Sequence, residues 1–441
     1  MEGLIQSVVR DKILTALDAP LPKLTRRDAR LPVIDGKAMV VIGMRRAGKT
    51  SFLHQQRSDL IASGRSPQRL VYFNFEDERL AGLDASRLGL VPETHLRLFP
   101  DPSPERVTLL LDEIQNVPGW ETFARRMLDE DGYELFLSGS SAKLLSREIA
   151  SSMRGRSWEI VIHPFSFREW LRHRDHEVSE DMKRLTTRRA VMMDAQFADW
   201  LTMGGFPEAQ GLDAVDRRQL LQGYVDVLML RDVIERHGVS NVTALRWMVR
   251  RLLGNPGGLF SITRFEADLK SQGIAAGRDT LYELLDCLED AFLLRAIPVA
   301  TDSEKRRQVN PRKIYPIDTA LGPVFDRSAK ENIGHTLEVA VHGELSRRGD
   351  EIAYVKTADG FEVDFLSRGV DGRRTLIQVC ADPSPPKTLA REVRALQAAA
   401  EEHPVDRQLI LSLESRLAFP DVPNPIEILP AWQWMLEGVP G

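Results

Sequence analysis

Short apolar runs alternate with polar, helix-compatible stretches over the first third of the chain. The runs at 38–42, 70–73, 107–111, 133–137 and 158–162 have the length and bounding residues of buried strands. Their alternation with helical stretches, such as the one that begins Ser51-Phe52-Leu53, predicts a parallel sheet with crossover helices over 36–170. Residues 1–35 read as a helix and a polar, proline-containing lead-in. From 171 to 240 the pattern becomes helical, with amphipathic spacing at 195–201 and 220–230. Residues 241–325 read as helices at 244–253, 261–269 and 281–288, a strand at 291–299 and a hairpin-like stretch at 301–315. Ser261 or Thr263 caps the second of these helices. Residues 326–441 read as a helix at 337–345 followed by strands at 352–355, 362–366 and 375–380. There is no internal repeat and no low-complexity tract; Pro383-Ser384-Pro385-Pro386 is the one short rigid segment.

The first strand runs into Gly43-Met44-Arg45-Arg46-Ala47-Gly48-Lys49-Thr50 and then into a helix. This fits the phosphate-loop pattern G-x-x-x-x-G-K-[ST] in the strand–loop–helix context it requires. Glycines let the backbone wrap phosphates, so that amide N–H groups and a helix N-terminus face the negative charge. The expected nucleotide contacts are Gly43, Arg45, Arg46, Ala47, Gly48, Lys49, Thr50 and Ser51. Lys49 would reach the β- and γ-phosphates of ATP, and the Thr50 hydroxyl would bind Mg²⁺.

The run at 107–111 ends in Asp112-Glu113, the Walker B arrangement of two carboxylates at a strand end. Asp112 would hold Mg²⁺ and Glu113 would polarise the attacking water as general base. A small-molecule kinase rarely needs this pair, so it favours nucleotide hydrolysis. Asn74-Phe75-Glu76-Asp77 sets two more acids at a neighbouring strand end; either could support the Mg²⁺ water shell, but the segment reads first as a surface turn.

Composition agrees with a globular protein of two to three domains: 441 residues, 43% hydrophobic, net charge −5. The charge gives no global attraction to nucleic acid, so any such binding must come from local patches. Cys287 and Cys380, the two cysteines, fit neither a disulfide framework nor a zinc site. The N-terminus lacks a signal-peptide pattern and no apolar run reaches spanning length. The expectation is a cytoplasmic protein with no membrane partner.

The stretch from Val41 to Trp170 resembles the bacterial and archaeal AAA-type ATPases related to the ORC and STAND groups. Five segments carry the likeness in order: the phosphate loop, Leu109-Leu110-Leu111-Asp112-Glu113-Ile114-Gln115, Gly139-Ser140-Ser141, Gly155-Arg156, and Pro164-Phe165-Ser166-Phe167-Arg168-Glu169. Gly204-Gly205-Phe206-Pro207-Glu208 is a further shared segment. The resemblance implies that Ser138 or Ser140 sits between Walker B and the γ-phosphate. It also implies that Arg154 or Arg156 reaches a γ-phosphate on a neighbouring subunit. The ATPase core would span 1–170 and a helical lid 171–240. The second half resembles the domain of unknown function that accompanies such cores.

The element order over 241–325 is that of a winged helix. A recognition helix with Arg278, followed by Lys305, Arg306, Arg307, Arg312 and Lys313 on a basic wing, would meet DNA phosphates and groove edges. Residues 326–441 resemble the restriction-endonuclease-like fold. Glu338 or Glu344 and Asp364 match its carboxylates, while Gln378 stands where Glu is expected and Cys380 where Lys is expected. Gln is a poor ligand for a hard cation and Cys supplies no fixed positive charge. The expectation is therefore a nuclease-shaped domain that does not cut DNA.

The sequence thus predicts an α/β protein: a P-loop AAA-type core with a parallel sheet, a helical lid, a winged helix and a nuclease-like C-terminal domain. Its predicted activity is Mg²⁺-dependent ATP hydrolysis driving a switch or motor associated with DNA. The alternatives are an ATP-regulated metal-dependent DNA nuclease and a signalling ATPase whose output is protein association rather than DNA binding; a homo-oligomer or a protein partner is expected.

Overall fold

The computed structural model describes residues 2–100, 105–130, 132–140, 155–177, 185–326, 332–415 and 419–437. The chain divides into two compact units, Met1–His163 and Pro164–Gly441.

The first unit opens with helix α1 (Glu2–Asp18). It continues through β1 (Ala38–Ile42), α2 (Lys49–Ala62), β2 (Leu70–Asn74), α3 (Leu90–Leu98), β3 (Val107–Asp112), α4 (Trp120–Asp129), β4 (Tyr133–Gly139) and β5 (Ser157–Val161). The five strands form one parallel sheet in the order β2-β3-β4-β1-β5. Every residue of β1 and β3 is buried, as expected of strands covered on both faces. One face packs Met39, Val41, Leu110 and Phe136 against Phe52 and Leu53 of α2. Because β4 lies between β1 and β3, Ser138 emerges between the ends of the two motif-bearing strands; it pairs in register with Val41.

The second unit holds α5 (Phe167–His173), α6 (Thr187–Met203) and α7 (Ala214–Leu228), which runs into a π-helical segment, Met229–Glu235. Next come α8 (Val242–Leu253), β6 (Leu259–Phe260), α9 (Ile262–Ser271), α10 (Arg278–Asp290), β7 (Leu294–Ile297), α11 (Glu304–Val309), β8 (Arg312–Pro316) and α12 (Leu321–Phe325). Strands β6, β8 and β7 form a small antiparallel sheet in that order. The chain ends with α13 (Ile333–Arg348), β9 (Glu351–Lys356), β10 (Glu362–Arg368), β11 (Arg374–Val379), α14 (Pro386–Glu402), β12 (Arg407–Ser412), β13 (Ile426–Pro430) and α15 (Ala431–Leu436). Its sheet runs β13-β12-β11-β10-β9, antiparallel from β9 to β11 and parallel from β11 to β13.

The segment 164–170 falls in the second compact unit. Ser166 starts α5 through a capping box with Glu169, and the Phe165 N–H donates to Gly205 O at 2.7 Å. The stretch 301–315 is not a hairpin. Ser303 caps the short helix α11, and β8 joins the small sheet between β6 and β7.

One apolar cluster collects side chains from several segments of the second unit. It holds Phe167, Trp170, Phe197 and Trp200 from α5 and α6, Ile297 and Tyr315 from the small sheet, and Leu337, Phe365 and Trp432 from the C-terminal segment. A polar tie lies beside it: Asp194 of α6 accepts from the Trp432 indole N–H (2.7 Å), the Ser415 N–H (2.8 Å) and the Ser415 hydroxyl (2.6 Å).

Candidate nucleotide site

The phosphate loop leaves β1 at Gly43, whose φ is +146°. A Cβ there would stand 2.3 Å from Ile162 O, so the close pass of β1 beside β5 requires glycine. Gly48, in the left-handed region, forms the N-cap of α2. Lys49 is buried and donates to Gly43 O (3.1 Å) and Met44 O (3.2 Å), the carbonyls of its own loop. Thr50 and Ser51 are exposed at the start of α2. Arg46 is exposed with φ +66°, and Arg45 lies 3.5 Å from Glu76.

Asp112 at the end of β3 is fully buried and is the hub of the site. Its Oδ2 accepts from Thr50 Oγ1 (2.8 Å), Tyr72 OH (2.8 Å) and Asn74 Nδ2 (3.1 Å). Its Oδ1 accepts from the Ser138 hydroxyl, and Ser138 Oγ in turn accepts from the Glu113 N–H at 3.0 Å. Charge-assisted bonds of this kind are the strong ones, and together they fix the carboxylate. Burial, and then the Asp112 charge, pushes the Tyr72 phenol far up, so Tyr72 acts as a donor.

Glu113 adopts φ +54°, a conformation uncommon for a residue with a side chain. The Ser138 hydroxyl on its N–H helps to hold that turn. The Glu113 carboxylate accepts from Gln115 Nε2 and lies 3.8 Å from Lys49 Nζ. Ser140 is buried at the end of β4. The arrangement can hold an oxygen-preferring cation through Thr50 and Asp112, hold phosphate through Lys49 and the loop amides, and present a carboxylate to water.

Arg156 lies elsewhere. Ala38 donates to its carbonyl at the opening end of β1, the strand end remote from the phosphate loop, and its guanidinium pairs with Asp129. It is therefore no part of its own chain's nucleotide site. Arg154 falls outside the described residues.

Sequence reasoning missed four supporting residues. Tyr72 and Asn74 lie on β2, beside β3 in the sheet; the segment 74–77 drew notice for its acids and not for Asn74. Gln115 belongs to the Asp-Glu-Ile-Gln segment, where its spacing from Glu113 offered a signal. Arg27, in the lead-in, donates to Ala47 O at 2.9 Å, and its backbone is held on both sides by Gln55 (2.7 and 3.1 Å).

The six basic DNA candidates separate in the structure. Lys313 is buried, contrary to its expected place on an exposed wing. Its neighbours in β8 pair in the small sheet, and its ammonium is directed at carboxylates. Arg312 lies 3.8 Å from Glu289, Arg307 3.4 Å from Glu351, and Arg278 2.7 Å from Glu266. Lys305 and Arg306 are exposed on α11.

The nuclease-like candidates also divide. Glu338 and Asp364 converge on Lys313. Glu344 instead pairs with Arg348 at 3.0 Å. Gln378 is buried and its Oε1 has no hydrogen-bond partner among the described residues. Cys380 is buried, and burial, then Glu392, pushes its thiol up to about 11.

The AAA domain family matches residues 35–171, and a domain of unknown function (DUF8612) matches 194–330. The uncharacterized protein MJ1544 of Methanocaldococcus jannaschii is 31% identical over 98% of this chain and 95% of its own length. An uncharacterized protein of Haemophilus influenzae is 29% identical over 75% of this chain and 80% of its own length. Among solved structures, the Walker-type ATPase PABY2304 of Pyrococcus abyssi is 14% identical, with 69% of this chain and 99% of that chain covered and a TM-score of 0.40. The chain therefore belongs to the family that MJ1544 represents, and its first unit is a P-loop ATPase domain of the AAA type.

Proposed function

We propose that the chain is an ATP-hydrolysing switch. ATP would bind at the phosphate loop with its β- and γ-phosphates on Lys49 and the loop amides. Thr50 and Asp112 would hold Mg²⁺, which supplies charge neutralisation across the phosphates when bound. Glu113, oriented through Ser138 and Gln115, would polarise the attacking water. The observation that carries this reading is the hydrogen-bonded chain Thr50–Asp112–Ser138–Glu113, which links the cation ligands to the general base. Steady-state phosphate release tests it. The intact chain should turn over ATP only with a divalent cation, and Glu113→Gln should lower kcat by about 10²–10⁴-fold. Unchanged turnover in that variant would reject the assignment.

For the output of the switch, we read α8–β6–α9–α10–β7–β8 as a winged helix, the helices near 171–240 as the element that senses nucleotide, and the last segment as nuclease-like. Association with a protein is favoured over DNA. Helix α10, in the place of a recognition helix, has one basic residue and five acidic ones, and its exposed Asp279, Glu283 and Asp286 would face a phosphate backbone with like charge. Closed rings of further copies of this chain remain compatible with Arg156 acting in trans. A nuclease activity has less support, because Gln378 and Cys380 provide neither the second carboxylate nor the ammonium at their own positions.

A further inference from the structure

Lys313 leaves β8 and buries its ammonium among three carboxylates. Its Nζ lies 2.9 Å from Asp364 Oδ1, 2.9 Å from Glu362 Oε1 and 3.2 Å from Glu338 Oε1. Tyr315, two residues on, donates its hydroxyl to Glu338 Oε1 at 2.5 Å, and the Val379 N–H donates to Asp364 Oδ2 at 2.9 Å. Lys313, Glu338 and Asp364 are all buried, while Glu362 forms the open edge. An ordinary buried ion pair needs one carboxylate for one ammonium. Here three carboxylates, from a helix and a strand, instead converge on one nitrogen.

We propose that Lys313 is the resident cation of this cluster, an internal ammonium occupying the position a divalent metal would take, so that the C-terminal domain uses no metal there. Lys313 brings one ammonium within reach of all three carboxylates. Carboxylates buried without a counter-ion are strongly unfavourable, and removing one partner of such a group leaves the penalty uncompensated. Burial alone would favour loss of the lysine's proton, but the three carboxylates outweigh it and keep the amine charged. Glu338 is shifted up as well, first by burial and then by Asp364, which for a carboxyl favours the protonated form. The arrangement also explains how Cys380 can stand where a lysine was expected. The cluster's ammonium comes from a strand 51 residues before Asp364 in sequence.

The test counts bound Mn²⁺ on the full chain without nucleotide, by electron paramagnetic resonance. Lys313→Met should gain one Mn²⁺ per chain, and Lys313→Met with Asp364→Asn should lose it again. A folded Lys313→Met that gains none would overturn the proposal, because the carboxylates would then not form a cation site. If Lys313→Met does not fold, the unmodified chain and Glu362→Gln decide, since Glu362 is the most exposed of the three. The two should bind the same amount of Mn²⁺; an ion held by the unmodified chain and lost in Glu362→Gln would show that metal, not Lys313, is the resident cation.

Discussion

Lys49 Nζ lies 3.8 Å from Glu113 Oε1, so the group assigned to the phosphates and the group assigned to the water neutralise each other across the site. ATP would have to part them. Lys49→Ala should weaken ATP binding by about 10–100-fold, the loss of charge-assisted bonds worth about 1.5–3 kcal/mol. Glu113→Gln should bind ATP at least as tightly as the unmodified chain, because Lys49 is released from its partner. Calorimetric titration of ATP distinguishes the two; equal weakening in both variants would refute this division of roles.

Ser138 should behave as a positioning residue. Its hydroxyl links Asp112 to the Glu113 N–H, and Ser138→Ala leaves that amide without its acceptor in a turn that already has positive φ. We expect kcat to fall by about tenfold or more while KM for ATP changes little, since neither phosphate ligand is touched. Ser138→Thr should restore part of the rate. A change confined to KM would place Ser138 in ground-state binding instead.

The exposed basic pair on α11 gives a direct measure of DNA contact. If association with protein is the output, replacing Lys305 and Arg306 by Ala should leave any DNA affinity and its salt dependence unaltered. If the pair meets phosphates, the slope of log K against log salt should flatten by about 1.8, or 0.9 for each contact. Fluorescence anisotropy with duplex DNA at several salt concentrations reads this. Lys313 is left out of such a variant because its burial would confound stability with binding.

Asp318 should give the second unit a pH dependence of a particular sign. It is buried, accepts from the Gly205 N–H (2.7 Å) and the Ala320 N–H (3.0 Å), and burial pushes its carboxyl up to about 6 from an ordinary 3.8. Since the folded value is the higher, its contribution to stability is fully present below about 3.8 and is lost as pH rises through about 6. His342, buried and lowered to about 3, has the opposite sign: its contribution is present above about 6.5 and is lost as pH falls. Denaturant unfolding of the unmodified chain and Asp318→Asn should therefore converge near pH 4 and diverge toward pH 7, by up to about 3 kcal/mol. Parallel curves would show that Asp318 does not titrate in this window.

What the sequence disclosed follows from how local each feature is. The phosphate loop and Asp112-Glu113 are contiguous, and a parallel sheet reads as buried apolar runs, so both were legible; at the end of the next strand the sequence leaves Ser138 and Ser140 as alternatives, and Ser138 is the one bonded to Asp112. Tyr72, Asn74 and Arg27 were not, because they meet the site only through strand adjacency or a fold-back of the lead-in. Lys313 was misread for a physical reason. A run containing Lys305, Arg306, Arg307, Arg312 and Lys313 looks like one solvated basic face, yet a helix followed by a strand directs Lys305 and Arg306 outward and Lys313 inward. The counter-charges that make the burial tolerable lie on α13 and β10, beyond any local window.

The core shared by Phe167, Phe197, Trp200, Tyr315, Phe365 and Trp432 bears on how this protein can be taken apart. A fragment beginning at 326 would carry the C-terminal sheet but present to water the surface that α5 and α6 cover in the whole chain. It would also leave the Trp432 indole without Asp194. Exposed aromatic patches of that kind promote self-association. Biochemistry on the last segment is therefore best done on the second unit whole, from 164 onward, and an insoluble fragment starting at 326 would report severed packing rather than an intrinsically unstable fold.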